Sequence, residues 1–329
     1  MLRLWSDRTM PPAIRAAFDG RLLVNGSAEE SPEAPLCNLP GAHAIVAGAR
    51  RSYDGEFMDR YPDLKVICRT GIGIDNIIVP SATARGIAVC NTPEGPTLST
   101  AETAIALILA AAKHLKRVSG EFAKRPERDY LSDYQGMELY GRTLGLIGLG
   151  RIGGRVARIA VALGMRVIAY DPYIEDEKAS AMGIERIARI EDVLAGSDVV
   201  SVHAPLTEET RRLMNGDRFA QMKAGAYFVN VSRGGLVDER ALCAALERGH
   251  LAGAALDVFD PEPPSPDNPL LYRDDVVATP HIAGVTVASR ERMWTMALTM
   301  ALQVWNGRRP DHIVNPEAMS LQGRTGTTI

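Results

Sequence analysis

The chain has 329 residues, of which 46% are apolar and 23% charged, and a formal net charge of −3. That length suits two domains with separate cores, and the composition excludes a disordered chain. The near-neutral charge excludes a globally basic binder of nucleic acid or acidic lipid.

Read in chain order, the N-terminus Met1-Leu2-Arg3-Leu4-Trp5 has no long apolar run and reads as lacking a signal peptide. Short apolar runs at 44–47, 64–68 and 87–90 predict strands of a smaller α/β domain within the first 96 residues. Residues 99–117 predict one long amphipathic helix, a natural connector between domains. Its longest apolar stretch, 104–112, is too short to span a bilayer. From about residue 143 strands and helices alternate regularly. Strands are expected at 144–148, 165–170, 198–203, 226–231, 253–258 and 276–279, and helices at 152–163 and 239–247. Continuous apolar strands separated by helices indicate parallel β-α-β units and a doubly wound sheet. A last helix at 286–306 takes the chain back toward its first domain. The cysteines Cys37, Cys68, Cys90 and Cys243 form no C-x-x-C pair, which argues against a zinc ribbon and for a reduced, cytoplasmic setting.

Gly148-Leu149-Gly150-Arg151-Ile152-Gly153 is a G-x-G-x-x-G between a strand and a helix, the context in which it binds a dinucleotide. Gly148 allows the tight turn, Gly150 lets backbone approach a pyrophosphate, and Gly153 lets the helix pack closely on the strand. The helix N-terminus offers unpaired N–H groups to the phosphates. Asp171 ends the next strand, 18 residues after Gly153. A carboxylate there accepts from ribose hydroxyls and repels a 2′-phosphate, which favours NAD over NADP. Simple turns and a helix cap are the ordinary alternative.

Arg233, Glu262 and His281 each follow one of the last three strands, on the side where doubly wound sheets bind ligands. Oxidising a secondary alcohol needs a base for the hydroxyl proton and an acceptor for hydride. Histidine titrates near neutrality and serves both directions, and a neighbouring carboxylate orients its ring. Arginine grips a substrate carboxylate and polarises the adjoining carbonyl. Together they make a complete site for a 2-hydroxy acid. Singly, each has a plain alternative: a surface ion pair, a loop charge before prolines, a strand-end histidine.

With these motifs, together with 202–207, 231–235, 257–263 and 280–284, the chain resembles the D-isomer-specific 2-hydroxyacid dehydrogenases from about residue 64 to 315, nearest their 3-phosphoglycerate dehydrogenase branch. The resemblance implies a doubly wound parallel-sheet (Rossmann) NAD domain at 99–286. It also implies a smaller flavodoxin-like α/β substrate domain from 1–98 and 287–329. It makes Arg233, Glu262 and His281 the catalytic trio, with His281 the acid/base. It assigns Gly148, Gly150, Arg151, Ile152, Gly153, Asp171, His203, Pro205, Val231, Ser232, Asp257 and Gly284 to the cofactor. Of these, Arg151 and Ile152 meet the pyrophosphate and Asp257 the nicotinamide carboxamide. It assigns Gly71, Ile72, Gly73 and Arg233 to the substrate, with the glycine-loop amides receiving its carboxylate; as an anion nest the loop can do this on physical grounds too. An ordinary tight turn is the plain alternative for that loop. The resemblance also implies a homodimer built on the connecting helix, whose apolar face suits packing within one chain equally well.

Two features depart from that branch. No regulatory domain is expected after residue 316, and Gly48 and Ala49 stand where phosphate-accepting members tend to place an arginine, with Arg50 and Arg51 beyond. Glyoxylate, hydroxypyruvate and other short 2-keto acids therefore stay open beside 3-phosphoglycerate. A non-enzymatic reading, an NAD(H) sensor that binds a protein partner, would keep the same trio. No basic stripe marks a nucleic-acid binder, and the six histidines show no metal-ligand spacing.

Overall fold

The computed structural model describes residues 1–31 and 33–322. Two compact units emerge: Met1–Thr97 with the stretch from Val285 onward, and Leu98–Gly284. Residues 323–329, expected in the substrate domain, lie outside the described residues.

The smaller unit holds five parallel strands, β1 (Leu2–Ser6), β2 (Leu22–Ser27), β3 (Ala44–Ala47), β4 (Val66–Arg69) and β5 (Ala88–Asn91), in the order β2-β1-β3-β4-β5. That is the flavodoxin-like order. Strands of a parallel sheet are apolar throughout because helices cover both faces. Here Trp294, Leu298 and Ala301 of the helix Val287–Trp305 cover one face, and Phe57, Met58 and Ile77 the other. That helix starts sharply because Thr286 and Ser289 form a reciprocal capping box.

The larger unit holds β6 (Thr143–Ile147), β7 (Arg166–Tyr170), β8 (Glu185–Arg186), β9 (Val199–Val202), β10 (Ala226–Asn230), β11 (Leu251–Leu256) and β12 (Val276–Ala278). All pairs are parallel, in the order β12-β11-β10-β9-β6-β7-β8. The chain winds outward in both directions from β6 and β9, so a switch point lies beyond their C-terminal ends. Leu144 and Leu146 face one core with Val156, Ala160 and Ile108. Ile147 faces the other, with Phe219, Phe228 and Leu242.

The connector differs from expectation. One helix runs Glu94–Ala112 and a second runs Leu115–Lys124. Between them His114 sits in the left-handed region at φ 49°, its Nε2 3.2 Å from the Tyr227 hydroxyl. Length and composition would let the first helix span a membrane, which the reading of 104–112 alone missed. Here 61% of that window is buried inside the protein, with Ala101, Ala104 and Ile108 in the core of the larger unit. The strand expected at 253–258 lies at Leu251–Leu256, and Asp257 and Val258 already belong to the loop beyond it.

Candidate active site

The turn after β6 is shaped by what glycine permits. Gly148 has φ 98°, and a Cβ on it would come within 2.8 Å of the His203 carbonyl carbon. A Cβ on Gly153 would overlap the Gly148 carbonyl oxygen. At Gly150 a Cβ would meet nothing within 4 Å, so that side of the turn is open to an approaching group. Gly150 also caps the helix Arg151–Ala162 without a side-chain bond, and the first-turn amides of Arg151, Ile152 and Gly153 have no acceptor within the helix. A turn with room outside it and amides facing out fits an anionic pyrophosphate.

The neighbouring strand ends frame this turn. Asp171, half-buried after β7, accepts from Leu149 N at 2.8 Å through Oδ2 and from Tyr173 N at 2.8 Å through Oδ1. It stitches the glycine turn to its own strand end and keeps lone pairs for ribose hydroxyls. His203, after β9, has Nε2 2.9 Å from the Ser201 hydroxyl, while its covered Nδ1 has no partner. Burial pushes this imidazole down to about 4, so it is neutral near pH 7. After β10, Val231 is buried, and Ser232 spends its hydroxyl on the Val202 carbonyl at 3.0 Å. Pro205 is exposed, and its carbonyl accepts from the Thr210 hydroxyl at 2.7 Å. Gly284 ends the larger unit.

The trio follows three adjacent strands, Arg233 after β10, Glu262 after β11 and His281 after β12. His281 Nδ1 lies 2.9 and 3.0 Å from the two carboxylate oxygens of Glu262. An ionised carboxylate only accepts, so Nδ1 carries the proton and Nε2 is left with its lone pair. Both side chains are more than a third exposed, at 39% and 38%, so they are open to a small molecule. Arg233 is half-buried, and its Nη1 donates to the Ser232 carbonyl at 2.7 Å, which fixes the guanidinium near its own turn.

Asp257 lies beneath the His281 loop. Its side chain is wholly covered. Oδ1 accepts from the Thr279 hydroxyl at 2.6 Å and Ile282 N at 2.9 Å, and Oδ2 accepts from Ala283 N at 2.8 Å. This carboxylate holds the His281 loop from beneath.

Comparison with known proteins places this geometry. Residues 105–283, more than half of the chain, match the family described as D-isomer specific 2-hydroxyacid dehydrogenase, NAD binding domain. The chain belongs to the D-isomer specific 2-hydroxyacid dehydrogenases. It is 44% identical over 277 residues to a D-3-phosphoglycerate dehydrogenase of Archaeoglobus fulgidus, covering 84% of this chain and 51% of that one. It is 39% identical to a glyoxylate reductase of Korarchaeum cryptofilum, covering 85% and 84% respectively. A crystal structure of Aquifex aeolicus D-lactate dehydrogenase with NAD and lactic acid superimposes with a TM-score of 0.82 at 30% identity, covering 95% of this chain and 99% of that one. The chain spans about half the length of the D-3-phosphoglycerate dehydrogenases it matches.

In the smaller unit the glycine loop is tied to its neighbours by Thr92 and Asn91. Gly71 N donates to the Thr92 hydroxyl at 2.7 Å, and the Gly71 carbonyl accepts from Thr92 N at 2.9 Å. The Ile72 carbonyl accepts from Asn91 Nδ2 at 2.8 Å. Loop amides left for a carboxylate are those of Ile72 and Gly73. Gly71, at φ 144°, is the residue that shapes the loop. Sequence reasoning missed Thr92 here, and Thr279 beneath His281. Both act through contacts more than 20 residues long, which no local pattern announces.

Proposed function

We propose that this protein is an NAD-dependent oxidoreductase that interconverts a small D-2-hydroxy acid and its 2-keto acid. The observation that carries the reading is the Glu262–His281 pair at 2.9 Å, on loops three and four strands over from a dinucleotide turn whose open face lies at Gly150. NAD, held by the 148–153 turn and Asp171, supplies the hydride acceptor. Arg233 receives the substrate carboxylate and polarises the adjacent oxygen. His281 takes the hydroxyl proton at Nε2 in oxidation and returns it in reduction, while Glu262 fixes the ring and offsets the imidazolium charge. In the smaller unit, which we assign to substrate, the Ile72 and Gly73 amides offer a carboxylate a second place of reception.

For the substrate, two readings compete. The relatives named D-3-phosphoglycerate dehydrogenase support a phosphorylated three-carbon acid. The side chains after β3 favour a shorter one. Arg51 is already held by Asp7 at 3.2 Å, and the same carboxylate takes the Tyr53 hydroxyl at 2.6 Å and Gly48 N at 2.7 Å. Glyoxylate and hydroxypyruvate are the unphosphorylated candidates. NADH oxidation with glyoxylate, hydroxypyruvate, phosphohydroxypyruvate, pyruvate and 2-ketobutyrate, repeated with NADPH, tests both readings. Fast NADH-specific turnover of one acid names the substrate. Tight NADH binding with no turnover of any acid favours an NAD(H) sensor that answers to a protein partner.

A homodimer accompanies this reading. The helix Leu115–Lys124 buries none of its residues, and Leu115, Phe122, Leu131 and Tyr140 are exposed nearby in sequence. A second copy covering this apolar surface accounts for it. Light scattering that returns a single-chain mass would remove the dimer from the proposal. None of the four cysteines is in a disulfide, which supports a cytoplasmic location.

A further inference from the structure

Residues 261–266 read Pro-Glu-Pro-Pro-Ser-Pro, so the loop that carries Glu262 has almost no backbone N–H groups. Such a segment cannot be tied down by a ladder of its own, and what fixes it must come from side chains. The larger unit supplies one. Glu239 lies on the first turn of the helix Glu239–Glu247, three residues beyond the short turn Gly234–Leu236 that follows Arg233. Its Oε1 accepts from Asp260 N at 2.8 Å, the last amide before the prolines, and its Oε2 accepts from Asn268 Nδ2 at 2.6 Å, just past them. One carboxylate thus grips both ends of the loop.

The same region is locked by a close backbone approach. A Cβ on Gly234 would overlap the carbonyl of Phe259, so the turn after Arg233 lies directly against the entry to the Glu262 loop. The helix bearing Glu239 is itself anchored by Asp238, whose Oδ1 accepts from Ala241 N at 3.1 Å. The element that follows Arg233 therefore sets the position of Glu262, and Glu262 in turn holds His281 at 2.9 Å.

We infer that Glu239 is a positioning residue for the Glu262–His281 pair, acting by clamping Asp260 and Asn268. The inference rests on the catalytic reading of that pair. A first-turn glutamate also favours its own helix electrostatically, and that role alone would leave the loop and the chemistry untouched.

The experiment uses the full-length chain with NADH and the acid that turns over best. Glu239→Ala is expected to lower kcat by about 10- to 100-fold, the scale of a small misplacement of a reacting group, with NADH affinity unchanged. Glu239→Gln keeps an acceptor for Asp260 but sets an NH2 against Asn268 Nδ2, and is expected to recover only part of that loss. Asn268→Asp leaves the helix intact, keeps the oxygen that caps Leu270 N, and sets a second carboxylate against Glu239; its expected loss matches that of the alanine variant. In a Glu262→Gln background, Glu239→Ala should cost less than about twofold, because residues that act through one another are not additive. The protonated Nδ1 resonance of His281 in 15N-histidine-labelled protein gives a readout without turnover. It should be sharp in the wild type and weakened by Glu239→Ala. Unchanged kcat and an unchanged His281 resonance in Glu239→Ala overturn the inference. A wild type that turns over no acid overturns the catalytic reading instead, and the resonance still decides whether Glu239 holds the pair.

Discussion

Asp257 and His281 are joined through three successive amides. His281 N donates to the Asp257 carbonyl at 2.7 Å, and the next two N–H groups, of Ile282 and Ala283, donate to its carboxylate at 2.9 and 2.8 Å. Wrapping three amides around one residue curls the chain, and His281 takes the left-handed conformation at φ 55° that side chains other than glycine seldom adopt. The conformation persists because the surroundings determine it, as is common where a side chain is held for chemistry. Asp257→Ala keeps the carbonyl that serves His281 N but leaves Ile282 N, Ala283 N and the Thr279 hydroxyl without their acceptor, at about 1–3 kcal/mol for each one left buried. The expected result is a lower melting temperature and a kcat reduced about 100-fold with NADH affinity nearly unchanged. Calorimetry and steady-state kinetics measure both. Loss confined to NADH affinity would instead support the carboxamide role that the resemblance implies for Asp257.

His281→Ala removes the proposed proton-transfer group, and turnover should fall by about 10²- to 10⁴-fold. Glu262→Gln keeps an oxygen near Nδ1 but cannot offset an imidazolium, so its loss should be real but smaller. NADH fluorescence titration should show both variants binding the cofactor as the wild type does. Near-normal turnover in His281→Ala would end the acid/base assignment.

His203 makes the fold sensitive to acid. Burial lowers its folded value to about 4, against about 6.5 in an unfolded chain. Between those values the unfolded state binds more protons, so stability rises with pH there. The contribution is fully present above about pH 6.5 and is lost as pH falls toward 4, up to about 3 kcal/mol in all. His43 and His114, both lowered chiefly by burial, act with the same sign. Urea melts from pH 7 to 4 should show the decline, and His203→Gln should flatten it. A decline of equal slope in that variant would place the acid sensitivity elsewhere.

Much of this was legible in the chain because glycine and strand position leave local marks. The 148–153 turn needs residues without a Cβ where backbone crosses backbone, and Gly148 and Gly153 stand there. The strand expected at 44–47 is β3 as observed. What stayed hidden was long-range or short. Neither β1, where Arg3 interrupts the apolar run, nor β2, with its Asn25-Gly26, was anticipated as a strand. β8 is two charged residues paired only at the sheet edge. Nothing near His114 announces a helix break; the Tyr227 hydroxyl that meets it is 113 residues away. Glu239 and Thr92 look like ordinary polar positions until the fold brings Asp260 and Gly71 to them.

Lys116 offers a test of how the sheet edge under His281 is held. Its ammonium donates to the carbonyls of Leu271, Arg273 and Val276 at 3.2, 2.8 and 2.9 Å. Those residues lead into β12, whose C-terminal end carries Thr279 and the His281 loop. Three donors on one charged group match three carbonyls, of which that of Arg273 also accepts from Val276 N at 3.3 Å. Lys116→Met keeps the aliphatic stem and removes the donors, so the cost is about 1.5–3 kcal/mol, the range for bonds to a charged group. The melting temperature should drop by a few degrees. Faster amide exchange should appear in residues 271–279 before the rest of the larger unit. Arginine at this position keeps the charge but presents a wide planar fork to a cage shaped for a compact ammonium, and it should rescue stability only in part. Exchange that speeds up uniformly across the unit, with no excess at 271–279, would mean that Lys116 stabilises the fold at large without anchoring β12.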